Sequence, residues 1–243
     1  MTDRHMSDPS GNPHKVLLVD DDPHIRQLLA FAFAKAGMVT TEAVDGEEAL
    51  AHLAGAGADL VVLDINMPRM DGLEVCRRLR AMACAVPILF LSSRDEEIDR
   101  ILGIELGADD YVVKPFSPRE VVARAGAILR RSATPSPTAR QAHDLSHGLL
   151  HLDTGGWQAF WNGQEVALTV SEFSLLMALV AAPTRILSRE ALIDRLHGPG
   201  FAVTDRTIDS HIRNVRRKFA ECGGHDVIET RTGIGYRLGA CAG

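Results

Sequence analysis

Two apolar runs of this chain end in carboxylates: VLLV is followed by Asp20 and Asp21, and LVVL by Asp64. Two more end in groups that hold anions, with Ser92 closing PILFLS and Lys114 closing DYVVK. If the runs are neighbouring strands of a parallel sheet, their carboxyl ends meet in one crevice. Three carboxylates meeting there repel one another unless a cation joins them. Mg²⁺ suits such a site, because it prefers hard oxygen ligands and keeps several waters. A carboxylate beside a metal, an ammonium and a hydroxyl has the parts that phosphoryl transfer requires. The carboxylate attacks, while the cations and the hydroxyl stabilise the equatorial oxygens. An Asp after a strand is also a common helix cap, and Asp22, directly before Pro23, reads as one.

The elements needed to position these groups are legible. KVLLVD (15–20), DLVVLD (59–64), PILFLS (87–92) and DYVVK (110–114) read as buried strands. Helical segments fall at 23–36, closed by Gly37, and near 46–54, 72–82, 95–106 and 118–130, the last opening on Ser117-Pro118-x-Glu120. Such β-α repetition predicts a doubly wound parallel sheet with helices on both faces. Residues 132–147 carry Pro, Ser, Thr and Ala without apolar periodicity and read as a flexible linker. The predicted organisation is a tail over 1–14, a first domain over 15–131, the linker, and a second domain over 148–243. The second domain begins with short strand-like pieces (GLLHLD, WQAFWNG, QEVAL). A helix follows, announced by Thr169-x-x-Glu172 and ending near Pro183. A second helix starts after Ser188, a third runs over about 205–220, and VIETRTGIGYRL reads as a terminal hairpin.

The net charge of −6 at first argues against a nucleic-acid partner. Residues 1–147, however, hold 16 Lys+Arg and 22 Asp+Glu, whereas residues 148–243 hold 10 of each. All the excess acid is N-terminal. In the third helix of the second half, Ile208, Ile212, Val215 and Phe219 form one apolar stripe, with Arg206, Ser210, Arg213 and Arg217 on the opposite side. That face suits a DNA major groove, or equally a solvated surface with i,i+4 pairs such as Asp209 with Arg213. No apolar run approaches the roughly 18 residues of a membrane span, and the N-terminus lacks a signal-peptide core. The four cysteines form no C-x-x-C pair. A reducing cytoplasm is therefore expected.

VDDDPHIRQLL, LDINMPRMDGLEV, LSSRDE and GADDYVVKPFSP resemble the signature segments of response-regulator receiver domains, and the resemblance covers about 15–131. The segment 148–243 resembles the winged helix-turn-helix effector of the OmpR/PhoB family, through SEFSLLMALV, LSREALIDRL, DRTIDSHIRNVRRKF and GIGYRL. The resemblance implies a flavodoxin-like receiver joined to a winged helix, in a phosphorylation-activated transcriptional regulator rather than an enzyme. It implies that Asp64 takes phosphate from a sensor histidine kinase. Mg²⁺ would sit on Asp21, the Asp64 side chain and the Asn66 backbone carbonyl, with Asp20 acting through water. Lys114, before a cis Pro115, would contact the phosphoryl group, with Ser92 and Tyr111 as the switch pair. It further implies DNA contacts from Arg206, Ser210, His211, Arg213, Asn214 and Arg217, with Arg231 from a wing at about 230–236. A receiver homodimer would pair Arg100, Asp109, Asp110, Glu120, Arg124 and Arg131. Promoter DNA and RNA polymerase are the implied partners.

The chain departs from the family pattern at Ser92, often Thr, at Asn214, often Arg, and at His197, often Trp. Thr232 also stands before the wing Gly233, where Arg is frequent. Asp20-x-Asp22 could instead open a haloacid-dehalogenase-type phosphohydrolase, but Pro23-His24 departs from that pattern. A receiver whose output binds protein or acts without phosphate is the other alternative; the complete acidic set argues against loss of phosphorylation, and the basic helix against a purely protein partner.

Overall fold

A computed structural model describes residues 12–93, 103–132, 144–197 and 205–243. They fall into two units, residues 1–133 and 134–243. In the first, β1 (Lys15–Val19), β2 (Val39–Ala43), β3 (Leu60–Asp64), β4 (Ile88–Ser93) and β5 (Asp110–Lys114) form one sheet in the order β2-β1-β3-β4-β5. All four pairings are parallel. Because successive strand side chains point to opposite faces, each strand feeds two cores. Val16, Leu18, Val62, Leu89, Leu91 and Val112 pack with Leu29 and Phe33 of α1 (Pro23–Lys35) and Val121, Ala125 and Ile128 of α4 (Pro118–Ser132). Leu17, Val19, Val61, Leu63 and Phe90 pack on the other face, against Ala49 of α2 (Gly46–Gly55) and Val75 and Leu79 of α3 (Gly72–Ala81).

Each helix that follows β1, β2 or β3 starts from an aspartate that accepts from a first-turn amide. Asp22 takes His24 N–H, Asp45 takes Glu48 N–H and Asp71 takes Glu74 N–H. These caps satisfy donors that the helix leaves open. The sequence reading missed β2. Its sequence, VTTEA, lies at the sheet edge and buries only its last residue, so no apolar pattern betrays it. Of the helix expected near 95–106, the described part is helical over 103–105.

In the second unit β6 (Leu145–His147), β7 (Leu150–Asp153), β8 (Gln158–Trp161) and β9 (Gln164–Val166) form an antiparallel meander. Then come α5 (Val170–Val180), α6 (Arg189–His197), α7 (Asp205–Ala220) and the hairpin of β10 (Ile228–Arg231) and β11 (Gly235–Leu238). β6 lies inside the stretch predicted as linker and pairs with β7, so the ordered second domain begins before residue 148. Three residues with one strongly apolar side chain carry too little periodicity to be recognised. The capping box forms as expected, with Thr169 and Glu172 bonding each other's backbone N–H. One core joins the sheet, the three helices and the hairpin, and in it Trp161 meets Phe219 edge-on at 5.7 Å. No helix among the described residues is long and apolar enough to cross a membrane.

Candidate phosphoryl pocket and nucleic-acid interface

β1 leads directly into Asp20 and Asp21, and β3 ends in Asp64. Their carboxylates present ligand atoms that all lie within 4.8 Å of one another. Asp20 and Asp64 are buried, while Asp21 is exposed. Lys114, at the end of β5, reaches across the intervening strands and places Nζ 2.9 Å from Asp20 Oδ2 and 2.9 Å from Asp64 Oδ1. The Asp22 N–H donates to the other oxygen of Asp20 at 2.9 Å. Burial lifts the Asp64 carboxyl above its ordinary pKa; Lys114 opposes this, and Asp20 and Asp21 add to the rise. Burial pulls the Lys114 ammonium down, but bonds to Asp64 and Asp20 more than offset it and leave its pKa raised. Among the described residues Lys114 is the cation in contact with these carboxylates, which leaves part of their clustered negative charge unbalanced. A hard divalent cation supplies the balance, so the donor set fits Mg²⁺.

The register places Ser92 one residue beyond Leu91, which is the partner of Asp64. Its Oγ is fully buried and has no hydrogen-bond partner among the described residues. Tyr111, opposite Phe90 on β5, is buried. The Lys114-Pro115 peptide is cis. Beyond β3 the chain turns through exposed Asn66, and the Ile65 carbonyl accepts from the N–H groups of Met67 at 3.1 Å and Gly72 at 2.9 Å. That closure needs glycine, because a Cβ on Gly72 would lie 2.2 Å from the Asp64 carbonyl oxygen.

Sequence reasoning missed one contributor. Arg26, on the first turn of α1, donates from Nη1 to the carbonyls of Asp20 at 2.7 Å and Asp21 at 3.3 Å, and from Nε to Glu42 of β2 at 3.0 Å. Nothing in local spacing signals it, since Glu42 is brought near only by strand pairing.

The groups expected at a receiver dimer interface are in part already engaged. Asp109, Asp110 and Arg124 are buried, which corrects the reading of them as surface charges. Asp109 accepts from Ile88 N–H at 3.0 Å, so it ties one strand start to the next. Arg124 Nη1 lies 3.0 Å from Asp110, and its Nη2 lies 3.0 Å from Glu120. Arg131 is half-buried, its Nε bonded to the Ala127 carbonyl. Arg100 lies outside the described residues.

In α7 the expected stripe Ile208, Ile212, Val215 and Phe219 is buried, and Arg206, Arg213 and Arg217 are exposed. Ser210, which the wheel put on the outer face, and His211 and Asn214, which the resemblance implied as DNA contacts, are buried, at 3%, 0% and 4% exposure. His211 sits about 70° from the middle of the stripe, on the flank turned toward the core. Ser210 and Asn214 lie about 170° and 130° from it, so the hydrophobic cluster alone does not account for their burial. Asp209 does not serve Arg213. It accepts from Arg189 Nε at 2.7 Å and Tyr236 Oη at 2.7 Å, joining α7 to α6 and to the hairpin. Tyr236 also exchanges backbone bonds with Leu187, at 2.8 and 2.9 Å. Lys218 Nζ lies 2.6 Å from buried Glu172. At the hairpin tip Arg231 is exposed and bonded to Glu229 at 3.0 Å, and Ile234 is 60% exposed.

A parallel-sheet domain with an acidic strand-end pocket, followed by three helices and a wing, defines a phosphoacceptor-type receiver coupled to a winged-helix effector. The chain matches the response regulator receiver domain over residues 16–126, and the C-terminal domain of transcriptional regulatory proteins over 163–238. It is 40% identical over 232 residues to the transcriptional regulatory protein BaeR of Escherichia coli O6:H1, spanning 95% of each chain. It is 40% identical over 230 residues to the alkaline phosphatase synthesis transcriptional regulatory protein PhoP of Bacillus subtilis strain 168, spanning 92% of this chain and 96% of that one. A solved structure of a RitR mutant shares the fold with a TM-score of 0.73 at 23% identity, over 93% of this chain and 98% of that one. The chain belongs to the OmpR/PhoB family of two-component response regulators and is a DNA-binding transcriptional regulator.

Proposed function

We propose that Asp64 is the phosphoacceptor and that its phosphorylation controls DNA binding by α7 and the wing. The reading rests on one observation: three strand-end carboxylates converge within 4.8 Å, with Lys114 bridging Asp20 and Asp64. An Asp64 carboxylate oxygen attacks the phosphorus of a kinase phosphohistidine. The P–N bond breaks, its electron pair returns to the imidazole, and an acyl phosphate is left on Asp64. Lys114 exchanges its carboxylate contact for a phosphoryl oxygen, and the unpartnered Ser92 hydroxyl donates to another. Asp21, the Asp64 side chain and the Asn66 carbonyl would hold Mg²⁺, with Asp20 acting through water. Bound there, the ion would supply charge neutralisation for the transferred group.

On the effector, Arg206, Arg213 and Arg217 face a major groove and Arg231 an adjacent minor groove. Ser210, His211 and Asn214 contribute only where their covering is withdrawn. Dimerisation on phosphorylation exchanges Arg124's contact with Asp110 for one across a two-fold axis, and places two effectors on repeated half-sites. The setting is the cytoplasm, with RNA polymerase as the downstream partner. Acetyl phosphate with Mg²⁺ should add one phosphoryl group to the wild type and none to Asp64→Ala, read by intact mass spectrometry. Equal labelling of the two would sink the assignment.

A further inference from the structure

The turn that carries Asp20 and Asp21 leaves the sheet at Val19 and enters α1 at Pro23, so its carbonyls lie beyond the strand ladder. Both accept from the same guanidinium, that of Arg26, whose side chain is 11% exposed. That guanidinium is held in turn by Glu42 on the neighbouring strand β2, through a bond from Nε. A planar fork that spans two successive carbonyls and one carboxylate cannot be reproduced by a compact ammonium.

We propose that Arg26 is a positioning residue for the acidic pocket. It clamps the Asp20-Asp21 turn so that both carboxylates are presented to a divalent cation together with Asp64. The inference rests on the reading of that pocket as a Mg²⁺ site. Glu42 anchors the clamp and offsets its charge.

The two roles open to Arg26 predict opposite signs. A cation close to three carboxylates competes by charge with any ion they bind, so a purely electrostatic Arg26 would weaken Mg²⁺ binding, and its removal would tighten it. A clamp acts the other way, since loss of a group that orients metal ligands weakens binding, typically by about 10–100-fold.

Calorimetric titration of Mg²⁺ into the full chain separates them, with Mn²⁺ binding followed by electron paramagnetic resonance as a second readout. Thermal unfolding of each variant checks that it folds. Arg26→Met, which keeps the stem but removes donors and charge, should raise the Kd about tenfold. Arg26→Lys, which keeps the charge but not the fork, should also weaken binding, and Glu42→Gln should do so to a smaller extent. If Arg26→Met does not fold, Arg26→Lys decides. Mg²⁺ affinity within twofold of wild type, or tighter, in the folded variants would overturn the clamp. Failure of the wild type itself to bind Mg²⁺ would overturn the reading of the pocket, and the proposal with it.

Discussion

The acidic pocket and helix α7 present their candidate functional side chains by different physical means. In the receiver, Asp20, Asp64, Ser92 and Lys114 come from strand ends, and parallel pairing of fixed register delivers them to one place. Sequence position there translates almost directly into spatial position. On α7 the wheel assigns a direction to each residue, but exposure depends on what other segments bring against the helix. Arg206, Arg213 and Arg217 are exposed as their direction suggests, while Ser210 and Asn214 are buried despite theirs. Strand termini specify a site more tightly than a helix surface does.

Both regions use the same device where backbones must meet, so matched substitutions test whether they are independent. A Cβ on Gly72 would lie 2.2 Å from the Asp64 carbonyl, and one on Gly235 would lie 2.1 Å from the Leu187 carbonyl. Neither clash can be relieved by a side chain, so each alanine should cost about 3 kcal/mol, at the upper end for overpacking. Gly72→Ala should abolish labelling by acetyl phosphate and leave DNA binding of the unphosphorylated chain unchanged in gel shift. Gly235→Ala should do the reverse. Loss of both activities in either variant would break the comparison.

A smaller effect is expected from the exposed arginines. Arg213→Ala should weaken DNA binding by about 1–3 kcal/mol, with unaltered thermal stability. A reduced salt slope would identify a phosphate contact, and a relaxed consensus a base contact. His211→Ala, on the core side of the same helix, should lower stability instead. If denaturant titration finds it as stable as wild type, the assigned burial is wrong.

Tyr236→Phe removes one hydroxyl from the group that joins α7, α6 and the hairpin. It should cost about 0.5–1.5 kcal/mol of effector stability, read from urea unfolding, with phosphorylation unchanged.

The least of these effects concerns the thiols, because each region holds one buried cysteine and one half-buried one. Burial pushes Cys76 up to about 11 and Cys241 up to about 12. At neutral pH a disulfide reagent should modify Cys84 and Cys222 first. An unfolded chain ionises its thiols near pH 9, whereas the folded one keeps these two protonated. Their contribution to stability is therefore complete below about pH 9 and is lost as the pH climbs through about 11 for Cys76 and about 12 for Cys241. Chemical denaturation at stepped pH would show the decline, and a flat profile would argue against it.

Local sequence sufficed where the signal is periodic or caps an element. The buried strands β1, β3, β4 and β5, the Asp22 cap of α1, the Thr169-Glu172 box and the apolar stripe of α7 all belong to that class. So do the strand-end residues of the pocket, because a parallel sheet gives their side chains a common destination. β2 and β6 escaped notice because an exposed edge strand and a three-residue strand bury too little to leave a pattern. Only the tertiary structure could pair Arg26 with Glu42, seat Asp209 between Arg189 and Tyr236, and bury Asp109 and Asp110. Each of those depends on segments far apart in the chain, whose approach is set by the packing of whole elements and leaves no mark in the spacing of neighbours.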